Sequence, residues 1–109
     1  ENTKTETAKQ EFSESEVLDL LKQAHNLYDT KEYKSALNKL AQFFEFSTRK
    51  RDEAFFLQGQ IYEADSSVKN IKLAIDAYRN VTKNYPASPY WDDANKRIIY
   101  LTKFYLEGR

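Results

Sequence analysis

Apolar residues return every three or four positions along most of this chain, and very little interrupts them. Its 109 residues include two glycines and two prolines, so the positive-φ turns that close β-hairpins have almost no raw material. Aromatic residues make up 15% of the sequence, a supply of bulky apolar surface that suits closely packed helices. The pattern predicts an all-α chain of about five helices.

The first helix is announced by "SESE", where Ser13 is the N-cap and Glu16 completes the reciprocal box that satisfies two orphan amides. Val17, Leu20, Leu21, Ala24, Leu27 and Tyr28 follow at helical spacing, and the polar break "DTKE" stops the helix near Thr30. Tyr33, Ala36, Leu37, Leu40, Phe43 and Phe44 form a second stripe that ends around "EFST". The connection is short, so these two helices pair antiparallel. A third helix is expected from about Arg51 to Ala64 with Ser47 or Thr48 as its cap, then a polar loop "EADSSVKN". The fourth carries Ile71, Ala74, Ile75, Tyr78 and Val81, and "NYPAS" ends it, because a residue before proline is pushed out of the helical region. Ser88 as N-cap and Pro89 at the first helical position open the fifth, with Asp92 and Asp93 in the first turn where the helix dipole favours them. Trp91, Ala94, Ile98, Leu101 and Tyr105 are its inward stripe. Residues 1–12 lack periodicity and read as a flexible tail.

Charge and composition remove several classes of function. Seventeen basic residues against seventeen acidic ones give a formal net charge of zero, so no global field gathers nucleic acid or anionic membrane. There is no cysteine, hence no disulfide and no thiolate chemistry. No apolar run approaches the roughly 20 residues of a membrane span. The first residue is glutamate rather than methionine, and the expectation is a soluble piece of a processed or excised chain.

His25 and Asp29 share a helix face at a spacing of four, yet two ligands are too few for a metal site. Gly59 and Gly108 stand alone, so no phosphate cradle exists, and no nucleophile elbow is present. No enzyme, metal or cofactor is expected. The run Arg49, Lys50, Arg51 is followed at once by Asp52 and Glu53. It reads as a solvated connector, with an acidic patch on a partner as the alternative, rather than as a nucleic-acid stripe.

The order of small and large residues repeats. Ala24, Leu27, Tyr33, Ala36, Leu40 and Phe43 are matched by Gly59, Tyr62, Ile71, Ala74, Tyr78 and Val81, and both second helices step by four and then three. At these residues the sequence resembles the tetratricopeptide repeat family, whose unit is a helix hairpin with small residues at the close crossings and Pro86 closing the unit. Departures are a longer "EADSSVKN" loop, Thr48 in place of a closing proline, and Ile99 where a small residue is usual. The joint "NYPASPYWDDANKRI" is similar to that of bacterial envelope members of the family, the outer-membrane assembly lipoprotein and the Tol-Pal coordinator among them. The resemblance implies a short solenoid over residues 13–109, with hairpins 14–46 and 49–85 and a further helix 89–106.

It also implies a non-catalytic protein-interaction module, with another protein as partner and no nucleic acid. The resemblance favours the periplasmic side of a bacterial envelope and leaves the cytoplasm open. Stacked hairpins present a groove lined by the first helix of each pair. The residues expected there are Leu21, His25 and Tyr28, then Phe56, Gln60 and Glu63, then Lys96, Tyr100 and Lys103. Leu21 and Phe56 also have a simple core reading. His25 and Gln60 stand where chaperone-tail clamps of the family use asparagine, which does not support such a clamp. A second apolar surface, Tyr90, Ile99, Phe104 and Leu106, is more than a terminal helix should show to water. Its readings are truncation, a partner or self-association, or a benign patch, and self-assembly through it is the alternative function.

Overall fold

The computed structural model describes residues 12–107. Five α-helices follow one another: α1 Glu14–Asp29, α2 Tyr33–Phe46, α3 Arg51–Glu63, α4 Ile71–Asn84 and α5 Trp91–Leu101. A π-helical segment Thr102–Glu107 continues α5. No strand occurs among the described residues. Each helix packs on the next, and α1 also touches α3, so consecutive hairpins stack side by side. The tail expected over residues 1–12 lies outside the described residues except for Phe12. That ring is not free, because it packs edge-on against Phe46 with centroids 4.8 Å apart.

The helix ends show which local signals the chain obeys. At α1 the full capping box forms: the Ser13 hydroxyl accepts from the Glu16 amide at 3.1 Å, and Glu16 accepts from the Ser13 amide at 2.9 Å. Asn70 caps α4 in the same way by accepting from the Leu73 amide at 3.0 Å. Neither Ser47 nor Thr48 caps α3. Its N-cap is Lys50, whose left-handed backbone (φ 59°) turns the chain into the helix without a side-chain bond. Arg51 works backwards instead, donating from Nη1 to the orphan carbonyl of Phe44 at 2.8 Å while its guanidinium lies over the Phe44 and Phe55 rings.

The start of α5 also differs from the reading Ser88–Pro89. The helix begins at Trp91, and Ser88 accepts from the Tyr90 amide at 3.0 Å while donating to Asp52 Oδ2 at 2.6 Å. Ser88 therefore ties the turn back to α3. Trp91 is partly buried, and its indole N–H donates to the Thr82 carbonyl at 3.0 Å. Of the inward stripe, Ala94 and Leu101 are buried, but Tyr105 is 38% exposed. It lies past the change to π geometry, which carries it off the α-helical stripe, and the Lys69 ammonium sits over its ring.

Val17, Leu20, Leu21, Ala24, Ala36, Leu40, Phe43, Ala54, Leu57 and Ile61 form one core layer, and Ala74, Ile75, Tyr78, Val81, Ala94 and Leu101 form the next. The ring of Phe55, on α3, stacks on Phe44 at 4.4 Å and joins the two. Helices α3 and α4 approach closely at Gly59. A Cβ there would stand 2.6 Å from Cε1 of Tyr78, a fully buried side chain. Gly59→Ala is therefore expected to lower stability by about 1–3 kcal/mol from overpacking, although the same change in an open helix raises it by up to about 1 kcal/mol. Thermal unfolding followed by circular dichroism reads the sign, and an unchanged or higher midpoint contradicts the close crossing.

Candidate interaction surface

One hollow of about 300 Å³ is built from four helices, with Tyr28 of α1, Phe56, Gln60 and Glu63 of α3, Tyr78 of α4 and Arg97 of α5 on its walls. The helical period explains the gathering. Phe56, Gln60 and Glu63 step by four and three along α3, which sets them on one face. The Phe56 ring contacts Tyr78 at 5.4 Å and stacks on Tyr90 at 5.2 Å.

Glu63 is the electrostatic centre of the hollow. Its side chain is 17% exposed, and a carboxylate that far from water needs compensation. Oε2 accepts from the Tyr78 hydroxyl at 2.6 Å and from Arg97 Nε at 3.0 Å, and Oε1 accepts from Arg97 Nη2. The fork of Arg97 thus grips both oxygens. Its pKa is raised, first by the hydrogen bonds to Glu63. Burial first, and then the bond to Glu63, pushes the Tyr78 hydroxyl far above the ordinary tyrosine value. Tyr28 is raised mainly by burial, with smaller contributions from Tyr33, Glu63 and Asp29.

Of the remaining expected groove residues, Leu21 is in the core at 3% exposure and offers no surface to a partner. It sits between Leu20 and Ala24 where α1 meets its neighbours, so the core reading of this leucine holds. His25 faces Glu53 across the α1–α3 junction, with Nε2 2.9 Å from Oε2. Asp29, its suggested companion, is exposed. Among the described residues there is no group of three or more His, Cys, Asp or Glu side chains placed to hold a metal ion. Lys96 and Lys103 are exposed on α5 and its continuation, and Tyr100 between them is 45% exposed.

The second apolar surface divides. Ile99, Phe104 and Leu106 are 54%, 57% and 61% exposed, but Tyr90 packs on Phe56 beside the hollow and does not join them. The basic run divides too: Arg49 pairs with Glu14, and Arg51 is consumed by the end of α2. Sequence reasoning missed Tyr78 and Arg97 as wall residues. Tyr78 was legible only as core, and Arg97 belongs because its partner Glu63 comes from another helix.

No helix of the described residues is long and apolar enough to cross a membrane. A family model described as YfiO, outer membrane lipoprotein, matches residues 3–105. An uncharacterized protein of Treponema pallidum is 38% identical over 76 residues, which is 68% of this chain and 15% of that protein. An uncharacterized protein of Borreliella burgdorferi is 31% identical over 97 residues, covering 87% of this chain and 27% of that protein. The chain thus spans between 15% and 27% of the length of these relatives. No solved structure matches it.

Tyr78 has a measurable consequence. Its folded pKa lies above the ordinary value of 10.0, so the stability tied to its neutral form is complete below about pH 10 and is lost as pH rises beyond it. Urea midpoints measured from pH 8 to 11.5 are expected to fall at the alkaline end, and less steeply in Tyr78→Phe. Some slope remains in that variant because Tyr28 and Tyr90 are raised as well. Identical slopes in the two proteins contradict the assignment.

Proposed function

Because this chain belongs to the YfiO family of outer membrane lipoproteins, we propose that it is a non-catalytic interaction unit that binds a partner protein in a bacterial envelope complex. The family is of the tetratricopeptide type and is generally non-catalytic, which supports the absence of a reaction. The proposed setting is the periplasmic side of the envelope. The interacting unit is residues 13–109, and its binding face is the one lined by α1, α3 and α5.

The single observation that carries this reading is the hollow itself. It collects partly exposed aromatic and polar side chains from successive first helices, Tyr28, Phe56, Gln60 and Arg97, around a carboxylate that is already satisfied. Aromatic and arginine side chains in a concavity are the usual anchors of protein interfaces. Affinity capture from an envelope extract tests it. The expectation is one partner retained by this chain and lost by a Tyr28→Ala, Phe56→Ala variant whose circular dichroism is unchanged; retention by the variant sinks the reading.

Exposed Ile99, Phe104 and Leu106 favour a second reading, self-association through the end of α5. Under it the mass in sedimentation equilibrium rises with concentration and becomes monomeric in Ile99→Asp, Phe104→Ser.

A further inference from the structure

The concave face changes chemistry from one end to the other. Ala54 and Ala94 are both fully buried and follow "DE" and "DD" respectively, so α3 and α5 present equivalent faces. Phe56, Gln60 and Glu63 on the first correspond in the sequence to Lys96 and Tyr100 on the second and to Lys103 on its π-helical continuation. At the α3 end the carboxylates are consumed internally, Glu53 by His25 and Glu63 by Arg97. At the α5 end the cations are not: among the described residues neither Lys96 nor Lys103 enters an ion pair, even though Asp92 stands one turn before Lys96.

From Arg97, which grips Glu63 of α3, an aromatic path runs along α5. The Arg97 guanidinium lies 4.7 Å from the centre of the Tyr100 ring, and that ring stacks on Phe104 at 5.3 Å with an interplanar angle of 11°. A segment leaving the hollow over Arg97 and Tyr100 therefore runs beside two ammonium groups that enter no ion pair among the described residues. These are separated along the helix by about 10 Å at 1.5 Å per residue, which an extended chain covers in roughly three residues.

We propose that the partner segment is acidic and aromatic. One aromatic side chain sits in the hollow between Tyr28, Phe56 and Tyr78, and two carboxylates about three residues apart meet Lys96 and Lys103. This rests on the concave face being the binding face, and it adds the chemical class of the ligand and its direction along the groove. Complementary charge at the rim selects among partners and speeds their encounter more than it adds raw affinity.

Two end-blocked, fluorescein-labelled peptides test it by fluorescence polarisation. One carries a phenylalanine followed by two glutamates three residues apart, and the other has lysines for the glutamates. The acidic peptide is expected to bind about tenfold tighter, with a preference that shrinks as salt rises and inverts in Lys96→Glu, Lys103→Glu. Both substituted side chains are exposed, so this variant keeps its fold. Equal binding of the two peptides, lost together in Phe56→Ala, overturns the acidic partner and leaves the groove standing; Tyr28→Ala serves should Phe56→Ala unfold. Binding that survives both the groove and the charge substitutions overturns the partner and the groove alike. No binding of either peptide overturns the acidic, aromatic partner, and the groove is then decided by the capture result.

Discussion

Tyr78 lies across Gly59, and the order of the second half of the molecule follows from that contact. A phenol ring can approach α3 so closely only where no Cβ stands in the way. Once there, its hydroxyl is out of reach of bulk water and must find an acceptor. Glu63, one turn beyond Gly59, supplies it. The same carboxylate, mostly removed from solvent, requires a cation, and Arg97 answers from α5. One steric fact on α3 thus fixes α4 by packing and α5 by charge. The hollow is the space left over where these three helices meet Tyr28 of α1.

The molecule is held differently at its two junctions. Between the first hairpin and the second, stacked aromatics and the Arg51 guanidinium join α2 to α3, and the His25–Glu53 contact joins α1 to α3. Between the second hairpin and α5, the half-buried Glu63–Arg97 ion pair and the Ser88–Asp52 bond act from both ends of α3. A half-buried ion pair adds little net stability, because its desolvation offsets most of the attraction. It does fix geometry, since each partner left alone is costly. The hollow, assembled from four helices, owes its shape to that fixed geometry. Glu53 and Glu63 are neutralised internally, whereas Lys96 and Lys103 enter no ion pair among the described residues.

Much of the fold was legible because it is dictated locally. The Ser13–Glu16 box, the apolar stripes of α1 and α4 and the proline at the end of α4 depend on neighbours within one or two turns, and the structure follows each of them. The small residue at Gly59 was legible as a close crossing, without the identity of the ring that crosses it. What failed depends on distance in the chain. Ser47, Thr48 and Ser88 look like caps in a local window, yet Arg51 claims Ser47, and Asp52 across the hairpin claims Ser88. Leu21 and Tyr90 were placed on surfaces by helical phase alone, and phase cannot say which neighbour covers a flank. Arg97 was silent for the opposite reason, because a charged residue near an inward stripe reads as solvent-facing until its counterion on another helix is known.

The central claim is that Tyr78 and Arg97 act through one shared carboxylate to lock α4 and α5 onto α3. A double-mutant cycle on unfolding free energy with Tyr78→Phe and Arg97→Met measures that coupling directly. Residues that share a partner in this way are expected to be non-additive by about 0.5–3 kcal/mol. Additivity to within about 0.3 kcal/mol contradicts the account, because it means that the two side chains meet Glu63 without depending on each other.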